Sequence, residues 1–288
     1  MSPNQRGAAL MVATMAAFTF NDAAIKVVGV DLSVYQMMFL RGVMVSVVFA
    51  VWLGVRGLGL SRVSRRDGWL MLLRGACEFA AAAVFLSALV VAEIGTLTAI
   101  LQSTPLAVTL AGAIVLGERV GWRRWGAICA GFVGVMLIMQ PSRDGIEAPA
   151  LLALISVGFI TLRDITTRYL SPDVPSKLAA LVTAICVTIP AGLMTMTGDW
   201  VPVTATHAGL LVLAAALMVV GYLCSVATMR VGEISFVSPF RYSAILWALL
   251  LGVTLFGERP GFWQLAGAGI VVAAGIFTLR RNHAARRG

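Results

Sequence analysis

Residues 117–126 read GERVGWRRWG and residues 257–266 read GERPGFWQLA. The two stretches lie 140 positions apart, and the same offset lays Glu93-Ile94 on Glu233-Ile234 with no gap between the landmarks. A third correspondence, at an offset of 142, sets FNDAAIKVV (20–28) against LRDITTRYL (162–170), with Asp22 on Asp164 and Lys26 on Arg168. Recurrence on this scale reads as a duplicated unit. The first copy is expected over residues 1–141 and the second over 142–288.

Composition says what the unit is made of. Of the 288 residues, 59% are hydrophobic and 12% charged, against about 45–50% and about 25% in soluble domains. So large an apolar surplus needs an apolar solvent. A helix needs about 20 apolar residues to cross ~30 Å of hydrocarbon. Ten runs qualify: 7–29, 34–55, 68–90, 94–116, 122–140, 148–170, 177–197, 207–229, 234–256 and 262–281. The expected fold is an all-α integral membrane protein of ten transmembrane helices. It forms two inverted five-helix repeats around a central cavity, within one compact membrane domain. Five is odd, so the second copy enters the bilayer from the other side. Inverted repeats are a transporter architecture, with the substrate site between the halves.

The net charge of +9 is no nucleic-acid signal, because the bases cluster in short gaps between apolar runs. Ten spans place 15 Lys and Arg residues on the side of both termini and 3 on the other, with Arg41, Arg74, Arg163 and Arg241 inside spans. The positive-inside rule then puts both termini in the cytoplasm of a bacterial-type inner membrane. MSPNQR followed by an apolar run fits a signal peptide loosely, but the repeat argues that the first span is retained. Cys77, Cys129, Cys186 and Cys224 lie inside apolar runs without CxxC or Cys/His spacing and read as small buried hydrophobes. Neither a metal nor a cofactor is expected.

The GER tripeptides after spans 4 and 9, the proline of STPLAV (103–108) and the FLRG of span 2 (39–42) resemble EamA-type members of the drug/metabolite transporter superfamily. The resemblance covers essentially the whole chain. Within the superfamily it is similar to YddG-like aromatic amino-acid exporters, although FNDA-x-x-K also looks like the opening of riboflavin or S-adenosylmethionine carriers. The resemblance implies a secondary transporter that exports amino acids, aromatic ones included, and related amphiphilic metabolites. The alternative is an uptake carrier for a larger metabolite such as riboflavin, S-adenosylmethionine or a nucleoside. It also implies a cavity lined by spans 1, 3, 4, 6, 8 and 9, with spans 5 and 10 as scaffold.

Ionisable groups inside spans are costly and mark functional candidates. Glu78 falls near the bilayer midplane, with Arg74 one turn away as the expected partner. It reads either as a cavity carboxylate or as half of a structural pair. Asp22 and Lys26 are expected to pair near the far end of span 1, as a gate or structural pair, with Asp164 and Arg168 as their mirror. Asn21 is the substrate candidate beside them. Arg163 has no counterpart in span 1 and is expected to meet Asp164 or Glu78. Pro105 and Pro239 are expected to open spans 4 and 9, beside Gln102 and Arg241. Arg41 is read as structural.

Phe20, Phe79, Phe85, Tyr222, Phe240, Tyr242 and Trp247 are candidates for an aromatic cavity wall, Tyr222, Tyr242 and Trp247 foremost because each needs a polar partner when buried. Trp52, Trp69, Trp122, Trp125, Trp200 and Trp263 sit at span ends as interfacial anchors. Small residues on spans 5 (Gly126, Ala130, Gly134) and 10 (Gly267, Gly269) suit close packing and leave monomer and homodimer both open. No Walker motif or HExxH occurs, and the two histidines, His207 and His283, sit at span ends. An enzyme is therefore not expected. The partners expected are a small-molecule substrate and the lipid bilayer, without nucleic acid.

Overall fold

The computed structural model describes residues 2–55, 63–115, 121–140, 146–171, 173–198, 200–231 and 234–287. Helices carry the chain across the bilayer because each satisfies its own backbone hydrogen bonds where no water can. They are α1 (Pro3–Val28), α2 (Val34–Val55), α3 (Arg65–Leu89), α4 (Ile94–Leu101), α5 (Thr104–Val115), α6 (Trp122–Met139), α7 (Ala148–Arg168), α8 (Ser176–Met196), α9 (Ala205–Val231), α10 (Ile234–Val237), α11 (Ser243–Leu255) and α12 (Phe262–Arg287). Among the described residues, eight helical segments are long and apolar enough to span a membrane, and the shorter apolar helices Trp125–Met139 and Phe262–Phe277 bring the number to ten.

Local chemistry fixes the ends. Ser2 and Gln5 form a capping box ahead of Pro3 at the first turn of α1. The Ser64 hydroxyl accepts the Asp67 N–H at the start of α3. Outer faces are apolar, as lipid requires: Val51, Ile114, Leu246 and Phe262 are all exposed. Trp69, Trp122, Trp125, Trp200 and Trp263 are exposed at helix ends, whereas Trp52 turns in against Phe49. Cys129 is exposed on α6, so it faces outward and is not the buried hydrophobe expected.

Helices pair across the midpoint of the chain. α1 runs along α9 and α3 along α7, while α2 lies on α8 and α6 on α12. Gly134 and Gly267 make the last crossing possible. A Cβ on Gly134 would lie 2.8 Å from the Gly267 carbonyl oxygen, and one on Gly267 would lie 2.5 Å from the Gly134 carbonyl oxygen. Gly126 and Gly269 have open space instead.

Spans 4 and 9 are broken, as their prolines predict. Pro105 has no N–H for the Leu101 carbonyl, and the Thr104 hydroxyl takes that acceptor instead. Ser103 does the same for Ile100. Span 9 passes from α10 through a 3₁₀ turn, Ser238–Tyr242, into α11. The two breaks touch: Gln102 Nε2 donates to the Arg241 carbonyl oxygen at 2.9 Å.

The half of the bundle away from the termini holds an apolar core. Ile25, Val28, Leu32, Met37, Leu86, Leu89, Ile94 and Leu97 form one apolar cluster, none more than 3% exposed. Among the sequence landmarks, the first GER (117–119), Arg143 and Glu233 fall outside the described residues.

Candidate functional site

A cavity of about 240 Å³ lies in the other half, the one nearer the termini. Its walls come from α1, α2, α3, α7, α8 and α9. Spans 2 and 7 therefore line it where spans 4 and 9 were expected. The reason is the pairing of α2 with α8, which brings FLRG to the cavity edge through Arg41 and Gly42.

One wall is apolar. Phe18, Val45, Phe49, Met218 and Tyr222 contribute to it, and the Phe49 and Tyr222 rings meet edge to face at 5.2 Å. The Phe18 ring rests on Gly221, where a Cβ would come within 2.6 Å of it.

Charged side chains line the cavity too: Arg74, Glu78 and Arg163, with the buried Arg41 at its edge. Glu78 pairs with Arg163 and not with Arg74: Arg163 Nη1 donates to Glu78 Oε2 at 2.7 Å. The same guanidinium reaches Asp164 Oδ1 with Nε at 2.9 Å and Nη2 at 2.7 Å. Arg163 is thus clamped between two carboxylates, with its side chain and that of Glu78 each about a quarter exposed. Arg74 turns to two threonines, donating through Nε to Thr167 Oγ1 at 3.0 Å and through Nη1 to Thr183 Oγ1. Spacing put Arg74 on the face of Glu78, but the α3–α7 seam brings a closer cation.

Arg41 is buried at the cavity edge. It donates to Asn21 Oδ1 at 3.1 Å, and Asn21 Nδ2 donates on to Asp22 Oδ1 at 2.9 Å. Both ends of the Asn21 amide are consumed, and the residue is buried. Asn21 therefore sits behind the cavity wall, holding Arg41 in place.

Asp22 and Lys26 do not pair. Lys26 Nζ bonds Glu258 Oε1 at 3.1 Å and the Ala92 carbonyl, and lies over the Phe256 ring. Glu258 also accepts the N–H groups of Ile94 (2.9 Å) and Gly95 (3.4 Å), so it caps α4. The second GER is thus a tie between α1, the start of α4 and the turn before α12. Gly257, with φ +63°, bends the chain to present it. Asp164 takes Arg163 as described, and Arg168 ends α7.

The remaining candidates lie elsewhere. Phe79 stacks with Tyr35, Phe20 packs on Trp247 and Phe240 on Phe236. Phe85 is core, and the Arg241 side chain is exposed. Tyr242 is buried with its hydroxyl against Gly275. Of the predicted cavity residues, Glu78 and Tyr222 line this cavity. Arg41, Phe18, Phe49 and Thr183 were missed. Only Arg41 carried a signal, an arginine inside a span.

The profile of the EamA-like transporter family matches the sequence twice, over residues 5–140 and 148–280. The chain is 28% identical over 229 residues to a riboflavin transporter of Rhizobium johnstonii, covering 79% of this chain and 76% of that one. It is 26% identical over 267 residues to an S-adenosylmethionine uptake transporter of Rickettsia bellii, covering 90% and 88%. A pseudopaline exporter of Pseudomonas aeruginosa is 22% identical over 93% of this chain and 94% of its own. A solved crystal structure shares the fold, with a TM-score of 0.66 at 16% identity over 95% of this chain and 96% of the other.

Proposed function

The chain belongs to the EamA-like transporter family, and on that premise we propose that it is a secondary carrier exporting amino acids, aromatic ones among them, and related amphiphilic metabolites. One observation carries the substrate class. A cavity of about 240 Å³ is lined by aromatic and aliphatic side chains together with three arginines and a glutamate. Such a chamber takes a molecule with an apolar body and a charged end. Its volume lies below the about 300–1,000 Å³ of sites for drug-sized ligands, which favours a small solute.

The arginine distribution orients the carrier with both termini in the cytoplasm of the inner membrane. The cavity then faces the cytoplasm, and the packed apolar half closes the opposite face. Two five-helix repeats of opposite orientation supply two states of similar energy, and exchange between them is alternating access. The pairing of α1 with α9 and α3 with α7 supports this, since each seam joins span 1 or its counterpart to span 3 or its counterpart in the other repeat. Flux in proteoliposomes across an amino-acid, nucleoside and vitamin panel, at two pH gradients, tests the reading. Flux that persists after the two repeats are crosslinked across the α1–α9 and α3–α7 seams refutes alternating access.

A second reading is uptake of riboflavin, S-adenosylmethionine or a nucleoside, supported by what similar chains are named for. The same panel decides it: riboflavin flux with silent amino acids replaces the first reading with the second.

A further inference from the structure

α3 offers the cavity two opposite charges one helical turn apart, Arg74 and Glu78. Each keeps capacity in reserve. The hydroxyls that hold Arg74 have already committed their own protons: Thr167 Oγ1 donates to the Arg163 carbonyl at 2.7 Å and Thr183 Oγ1 to the Ala179 carbonyl at 2.7 Å. They can therefore only accept. Two neutral acceptors aim the guanidinium without cancelling its charge, and among the described residues no carboxylate stands within ion-pair distance of it. One Arg74 nitrogen, Nη2, takes no partner among the described residues. Glu78 gives only Oε2 to Arg163 and leaves Oε1 unengaged among the described residues.

Arg163 behaves in the opposite way. Its contacts are spent on Glu78 and Asp164, so it serves as an internal counter-ion that fixes the Glu78 carboxylate. Arg41 gives Nη1 to Asn21 and is buried, whereas Arg74 is only half-buried. Of the three arginines on the wall, Arg74 alone combines a threonine cradle with free donor capacity.

We infer that Arg74 and Glu78 form a head-group site for a zwitterion, with the ligand's carboxylate at Arg74 and its ammonium at Glu78. This rests on the carrier reading and names the substrate class for it: α-amino carboxylates whose side chain lies against Phe18, Phe49 and Tyr222. A guanidinium fork matches a carboxylate in shape as well as charge. A simple amine offers nothing to the Arg74 guanidinium, so it engages only the Glu78 half of the site. S-adenosylmethionine, which ends in an α-amino carboxylate, has a compatible head group, whereas riboflavin lacks one.

The test is competition for labelled phenylalanine uptake into proteoliposomes holding the full chain. Competitors are phenylalanine, its methyl ester, 3-phenylpropionate and phenethylamine. Wild-type protein is expected to prefer the full zwitterion over each of the others by at least roughly tenfold, as one lost charged contact implies. Arg74→Gln is expected to erase the preference for acid over ester, with Arg74→Lys restoring part of it. Glu78→Gln is expected to erase the preference for phenylalanine over 3-phenylpropionate. Wild-type protein that takes the ester as well as the acid overturns the inference, whatever the variants do. Riboflavin flux without amino-acid competition also overturns it while leaving a carrier in place. Absence of flux for every solute overturns the carrier reading itself.

Discussion

Replacing Glu258 by Gln removes the counter-charge of Lys26 at almost constant shape. The side chains of Lys26 and Glu258 are only 13% and 9% exposed, so neither is rescued by water while the packed half stays closed. Breaking a buried pair by deleting one partner costs about 3–5 kcal/mol. Glutamine keeps one acceptor oxygen for Ile94 or Gly95, which argues for the lower end, ~3 kcal/mol. Opening that face hydrates Lys26 and relieves the cost. The variant should therefore shift the balance toward the opened state by roughly a hundredfold. The assay is modification of a single cysteine at Leu32 or Leu89, both in the sealed apolar cluster, after the four native cysteines are replaced. A membrane-impermeant thiol reagent supplied from the side opposite the termini should label Glu258→Gln far faster than the parent. Lys26→Met combined with Glu258→Gln should recover part of the slow rate, since no orphaned charge remains. An unchanged labelling rate, with or without a fall in Tm, refutes the claim that this tie holds the face closed.

Glu78→Gln should lower flux by roughly tenfold or more, while Asp22→Asn, whose carboxylate meets Asn21 and not the cavity, should stay within about threefold; equal near-wild-type flux in proteoliposomes removes Glu78 from the site. Gly221→Ala places a methyl 2.6 Å from the Phe18 ring and should push that ring into the cavity, raising the KM for transport more than it lowers Tm; an unchanged KM shows that Phe18 does not shape the site. Tyr242→Phe removes a buried hydroxyl that has no hydrogen-bond partner among the described residues and should raise stability by about 1 kcal/mol, read as a higher Tm in detergent; a fall indicates a partner formed in the other state.

Much of this protein is written in its sequence. Ten apolar runs fix ten crossings because hydrocarbon tolerates only backbone that satisfies itself. Pro105 and Pro239 mark the two breaks, each removing a backbone donor, whereas Pro190 stands inside the unbroken α8. Glu78 and Arg163 declare themselves by being charged where charge is costly. Tertiary structure decides which charge meets which. Spacing along one helix ranked Arg74 first for Glu78 and Asp22 for Lys26, since neighbours at i, i+4 are all that a linear pattern reveals. The seams between α3 and α7, and between α1 and the turn before α12, supply stronger partners from 85 and 232 residues away. The same long-range pairing brings α2 and α8, and with them Arg41, to the cavity edge. Burial and charge cost are local properties that a sequence carries, whereas ion-pair partners and cavity walls depend on which helix faces land together.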